Sequence, residues 1–209
     1  MSGLKKLFEP VDMTQGTPWK KILMFSIPLL LGNFAQQMYN TVETIVVGQI
    51  LGDNALAAVG ICGPILNLLI CLFVGIGQGA SISVSQYRGA MDREGRSWTI
   101  GNSIILILIA SAIVMAVGYF LTPTFLKLIN TPDDLMPMCI SYLRIMFLGG
   151  AGLAFYNILN GVLQGLGDSM SALVYLLVST VLNIFMDIFF VKYTPMGVGG
   201  AALVTGIAQ

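Results

Sequence analysis

Two carboxylates stand where carboxylates are costly. Glu43 and Asp187 lie well inside long apolar stretches of the chain, and an ionised acid at the bilayer centre costs about 2.5–3.5 kcal/mol on insertion scales. Each belongs to a polar thread at helical spacing. Asn33, Gln36 or Gln37, Asn40 and Glu43 recur at steps of three and four, which places them on one helix face. Thr180, Asn183 and Asp187 repeat the pattern, with Asn183 and Asp187 stacked one turn apart. A third thread runs through Asn157, Asn160 and Gln164. The chemistry these residues could do is the handling of a small cation. A proton needs a carboxylate that can carry it when buried, and Na⁺ needs several oxygen ligands. Glu43, Asn183 and Asp187 offer such oxygens, and Thr205 could add a hydroxyl. Two acids close together would titrate as a coupled pair. The plainer alternative is that the threads are helix glue, or that Asp187, near the outer end of its stretch, sits in water at the membrane edge.

The elements that must position these residues are transmembrane helices. Of the 209 residues, 56% are hydrophobic and only 10% are charged, and mean hydropathy is +0.85. An average soluble domain carries roughly 25% charge, so the composition is that of an integral membrane protein. A spanning helix needs about 20 apolar residues. Five stretches qualify, at about 22–51, 56–84, 98–121, 136–163 and 171–191, and a sixth begins near residue 198 and stops at 209. The expected fold class is an all-α integral membrane protein, a six-helix transmembrane bundle with its sixth helix truncated. Residues 1–21 read as a lead-in and 22–209 as the transmembrane unit. Half a span leaves backbone groups unsatisfied in lipid, so the chain reads as part of a longer protein.

The connecting segments are short, as suits antiparallel neighbours in one bundle. Counting basic residues by side, Lys5, Lys6, Lys20, Lys21, Arg88, Arg93 and Arg96 fall with the N-terminus, and Lys127, Arg144 and Lys192 fall opposite. That bias puts the N-terminus in the cytoplasm, with Trp19 as a candidate interface anchor. The ten basic and ten acidic residues cancel, and no basic block offers nucleic acid a footprint. The chain has no His, which removes His-based catalytic triads and the usual His-containing metal sites. No nucleophile–base constellation remains, so no enzyme activity and no cofactor are expected, and no metal beyond Na⁺ at the cation site.

Weaker features carry alternatives. Cys62, Cys71 and Cys139 form no CxxC pair and read as small buried hydrophobes. Gly75, Gly77 and Gly79 could let two helices approach closely, or simply reflect the frequency of glycine in membrane helices. Pro28 is a hinge candidate, and it and Pro64 could equally be tolerated kinks. The 12 methionines suit an adaptable apolar surface or ordinary packing. Arg144 could snorkel to the interface or pair with a carboxylate.

A series of motifs then resembles a known pattern. IPLLLGNFAQQMYNTVETIVVGQILGDNALAAVG at 27–60 is similar to the first helix of the multidrug and toxic compound extrusion (MATE) family and its exit. SQYRGAMD, NGVLQGLGDS, LNIFMDIFF and GVGGAALVTGIAQ follow in family order. The resemblance implies one lobe of a two-lobe, twelve-helix transporter, the N-terminal one, with the C-terminal lobe as a missing partner. It implies export of amphipathic or cationic small molecules in exchange for H⁺ or Na⁺. It also implies a cation site at Glu43, Asn183, Asp187 and Thr205, with Gln36, Asn40, Asn157 and Asn160 as polar lining of the cavity. The chain departs from the pattern in two places: the helix-one acid is usually Asp and here is Glu43, and the usual Arg before the GxGD turn is Gln164. The expected location is a bacterial or archaeal inner membrane, multi-pass. Two rival readings follow. A flippase for lipid-linked precursors of the same superfamily would want basic residues in its central cavity, where Arg144 is the only basic residue within a span. A structural half-transporter subunit would pair with a second copy.

Overall fold

The computed structural model describes residues 16–193, except for the side chains at 43, 46, 47, 187, 188 and 190–193. Thr205 and the start of the sixth span lie outside the described residues. Five helices follow one another: α1 Pro18–Leu51, α2 Asp53–Gly89, α3 Arg93–Leu128, α4 Met136–Gly165 and α5 Ser169–Tyr193. Among the described residues α2 to α5 are long and apolar enough to cross a membrane. The expectation gave α1 the same status. Its 34 residues suffice in length, but the amide thread dilutes its hydropathy, so its place in the bundle rests on packing.

The connections are shorter than the hydropathy pattern predicts, because the helices run on past the apolar residues. A single residue, Gly52, separates α1 from α2, and its φ of 84° is open to glycine. Three helices end in the same way. At the end of α2, Asp92 N–H donates to the Tyr87 carbonyl at 3.0 Å and Met91 N–H to that of Arg88 at 3.1 Å, with Met91 at φ 56°. The ends of α3, turning at Asn130, and α4, turning at Gly167, repeat these bonds. Such an end satisfies carbonyls that would otherwise be left over. In two of the turns the next residue is an aspartate that starts the following helix. Asp92 Oδ1 accepts from Gly95 N–H at 2.9 Å, and Asp168 Oδ1 from Ser171 N–H at 2.9 Å, each an N-cap worth about 1 kcal/mol. Arg88, Arg93 and Arg96, expected in a loop, are therefore carried on helix ends.

Packing divides the bundle. Helices α2, α3 and α4 share the core, with Phe73, Ile107, Leu126, Leu143 and Ile158 fully buried. Helices α1 and α5 pack chiefly on each other and lightly on this triad. The α2–α4 seam is built on glycine. A Cβ on Gly77 would stand 2.6 Å from the Asn157 carbonyl oxygen, and one on Gly165 would stand 2.6 Å from that of Ser81. One on Gly161 would overlap the Gly77 carbonyl. Of the three glycines in GxGxG only Gly77 faces a partner, since nothing lies within 4 Å of Gly75 or Gly79. Cys62 and Cys139 are fully buried at the same seam, each thiol directed at a backbone carbonyl of the other helix 3.9 Å away.

Candidate functional site

The close approach of α2 and α4 sets one wall of a cavity of about 610 Å³, and α1 supplies the other. Nine carboxamides line it: Asn33, Gln36, Gln37 and Asn40 from α1, Asn67 and Gln78 from α2, and Asn157, Asn160 and Gln164 from α4. Tyr39, Tyr142 and Tyr156 add phenol rings, and among the described residues no charged side chain takes part. All four residues expected as polar lining, Gln36, Asn40, Asn157 and Asn160, are thus brought together. Helical spacing explains it. On α4 the lining residues 142, 146, 153, 157, 160 and 164 follow one face, and the α1 thread does the same. Asn40 Nδ2 donates to Gln37 Oε1 at 3.1 Å, and Asn157 Nδ2 donates to the Leu153 carbonyl at 2.8 Å. These local bonds hold two amides in place on their own helices. Such a wall can hydrogen-bond either polarity of an uncharged group and can turn carbonyl oxygens toward a cation.

Asn67 and Gln78 were not anticipated. They are the isolated polar residues of a long apolar helix. Their eleven-residue separation is three turns, so both face the same side. That spacing was the available signal, but a thread of two is easily read as incidental.

Of the expected cation residues, only Asn183 has a described side chain. Asn183 is on α5, 2% exposed, and is not among the cavity's lining residues. Among the described residues its Oδ1 is buried with no hydrogen-bond partner, and a buried polar atom without a partner costs about 1–3 kcal/mol. The side chains of Glu43 and Asp187 and all of Thr205 lie outside the described residues. The backbone nevertheless fixes a relation. With four connections between them in the alternating bundle, helices α1 and α5 run in the same direction, and they meet where a Cβ on Gly32 would come 3.0 Å from Leu176. Positions 43 and 187 each lie eleven residues, three turns, beyond that contact. They therefore fall at about the same level, one turn past Asn183. Pro28 is inside α1 and buried, and the helix continues through it. Arg144 lies with its guanidinium carbon 4.9 Å over the Tyr119 ring, away from the amide cavity.

The MatE family model matches residues 28–189. The probable multidrug resistance protein YpnP of Bacillus subtilis (strain 168) is 32% identical over 198 residues, which is 95% of this chain and 44% of YpnP. A multidrug resistance MATE family transporter of the MOP superfamily, solved in an outward-facing conformation, superposes with a TM-score of 0.88 at 30% identity, over 96% of this chain and 45% of that one. A MOP superfamily transporter from Pyrococcus furiosus Vc1 (DSM3638), described as having a binding pocket of reverse polarity that suggests a different function, superposes with a TM-score of 0.89 at 31% identity, over 96% and 44%. The chain spans a little under half the length of these relatives. Sequence and fold agree over nearly all of its residues: this multi-pass membrane chain belongs to the MatE family.

Proposed function

We propose that the chain forms the N-terminal lobe of a secondary antiporter, which exports amphipathic or organic-cation compounds in exchange for inward H⁺ or Na⁺. The observation that carries this reading is the buried, unpartnered Oδ1 of Asn183, one turn from the level shared by positions 43 and 187. Carboxylate and amide oxygens at that level, with Thr205, suit a cation as substrate. The amide cavity suits cargo with an apolar body and a few polar groups. In the cycle we propose, the cation binds at Glu43, Asn183 and Asp187 from outside, neutralises the acids and lets α1 bend near Pro28, which releases the cargo outward. Reorientation of two lobes then frees the cation inward, in the manner of alternating access. With the N-terminus in the cytoplasm, the membrane potential adds about 2.3 kcal/mol per charge per 100 mV.

The test is energised dye efflux from cells carrying the full-length gene. Glu43→Gln and Asp187→Asn should each abolish efflux with the protein still in the membrane. Intact efflux in both variants would refute the site. Removal of Na⁺, or collapse of the proton gradient, names the coupling ion. The flippase reading is less favoured at the amide cavity, because among the described residues no basic side chain lines it and Arg144 stacks on Tyr119 instead.

A further inference from the structure

A second cavity, about 880 Å³, opens between α1, α2 and the turns that lead into α3 and α5, at the end of the bundle that the proposed orientation places in the cytoplasm. Arg88, Arg93 and Arg96 line it, and among the described residues no carboxylate does. Among the described residues none of the three arginines has an ion-pair partner. The aspartates of the two turns are already engaged, Asp92 with Gly95 and Asp168 with Ser171. Arg88 and Arg96 are half-buried, so their guanidinium groups are partly fixed before anything binds. Three uncompensated guanidinium groups in one recess are a receptor for phosphate oxygens, which their planar forks match two at a time.

The rest of the lining indicates which phosphate. Ile22, Phe25, Leu29 and Ile82 form an apolar wall beside the arginines. Ile22 and Ile82 are each 58% exposed. Exposed Trp19 and Trp98 flank the same end, where aromatic side chains mark the headgroup level. Helix α1 packs on α2 far less than on α5, so the cavity is open sideways at that depth. We infer that this recess seats the phosphate of an anionic phospholipid from the inner leaflet, with its acyl chains along Ile22 and Ile82. A soluble phosphate compound would use the arginines but gain nothing from the apolar wall.

The experiment is native mass spectrometry of the full-length protein, purified in detergent with equal amounts of phosphatidylglycerol and phosphatidylcholine of matched chains. Wild type should retain phosphatidylglycerol preferentially. Arg88→Gln with Arg96→Gln should lower that preference about tenfold, as expected for two lost charge-assisted contacts. Arg88→Lys with Arg96→Lys should keep most of it. An unchanged preference in the Gln pair would overturn the inference. So would displacement of phosphatidylglycerol by millimolar inorganic phosphate, which would assign the site to a soluble anion. If the Gln pair does not fold, wild type alone decides: the preference should fall several-fold between low salt and about 0.5 M salt, and a preference indifferent to salt would overturn the inference.

Discussion

The seam between α2 and α4 makes a sharp prediction, because three glycines spaced identically in sequence have different surroundings. In Gly77→Ala the new methyl would meet the Asn157 carbonyl oxygen at 2.6 Å and its carbon at 3.2 Å. That is short by about 0.7 Å of an ordinary carbon–oxygen approach of about 3.3 Å. The obstacle is backbone in the middle of a helix, so no rotamer change relieves it and the two helices must separate. Overpacking of this kind costs about 1–3 kcal/mol, against which alanine's better helix propensity returns up to about 1 kcal/mol. Gly77→Ala should therefore destabilise by about 1 kcal/mol net. Gly75→Ala and Gly79→Ala, with nothing within 4 Å, keep only the gain. The spread between Gly77 and its two neighbours is then about 2 kcal/mol, roughly thirtyfold in the unfolding equilibrium. The assay is thermal unfolding of the purified full-length protein in one detergent, read as loss of monodisperse protein. The expected order of Tm is Gly79→Ala and Gly75→Ala at or above wild type, then Gly77→Ala, then Gly77→Val. Gly161→Ala presses on the Gly77 carbonyl at the same helix crossing, so the double variant should cost less than the two single costs added. A Gly77→Ala protein as stable as Gly75→Ala would refute the close approach, and with it the account of how Gln78 comes to face Asn157 and Asn160.

Three further outcomes follow. Asn183→Leu removes the unpartnered buried acceptor at little change in volume, so stability should hold or rise by about 1 kcal/mol while coupled efflux is lost; a large loss of stability would make Asn183 structural glue. Asp168→Ala and Asp92→Ala each delete one N-cap bond and should each lower stability by about 1 kcal/mol in the same unfolding assay; an unchanged Tm would show that the turns do not depend on their caps. Tyr119→Leu should cost about 1 kcal/mol by removing the ring beneath Arg144, whereas Tyr119→Phe should be close to neutral; equal costs would show that the phenol oxygen matters and the ring face does not.

The sequence was most legible where period and composition act together. The α1 and α4 threads repeat at three and four residues, and all four expected lining residues face one cavity. It was least legible at helix ends. Hydropathy stops at the edge of the apolar stretch, but backbone geometry does not: turns at Met91 and Gly167, each followed by a capping aspartate, carry the helices on through Arg88 and Arg93. Which glycine of GxGxG makes contact was readable in principle. Phe73, Gly77, Ala80 and Val84 are the buried stripe of α2 at steps of four, three and four, and Gly75 and Gly79 fall off it. What no spacing within one helix can reveal is the pairing of helices.

That pairing bears most on mechanism. The residues proposed to hold the cation lie on α1 and α5, which pack mainly on each other. The amide cavity lies between α1 and the well-packed pair α2 and α4. Helix α1 is therefore the one described element common to both. Among the described elements, and on the proposed reading, an ion bound at the level of positions 43 and 187 acts on the cargo wall chiefly by moving or stiffening α1 against a core that is itself pinned by the Gly77–Gly161 seam. On the proposed reading this division separates two kinds of variant. Substitutions at the α2–α4 seam should change how much folded transporter there is, with the ratio of cation to cargo preserved. Substitutions on the α1–α5 contact, such as Gly32→Leu against Leu176, should leave folded protein in the membrane yet uncouple efflux from its ion gradient. Parallel measurement of surface abundance and of efflux per molecule distinguishes them. A Gly32→Leu variant that loses abundance and keeps full efflux per molecule would show that coupling does not run through α1.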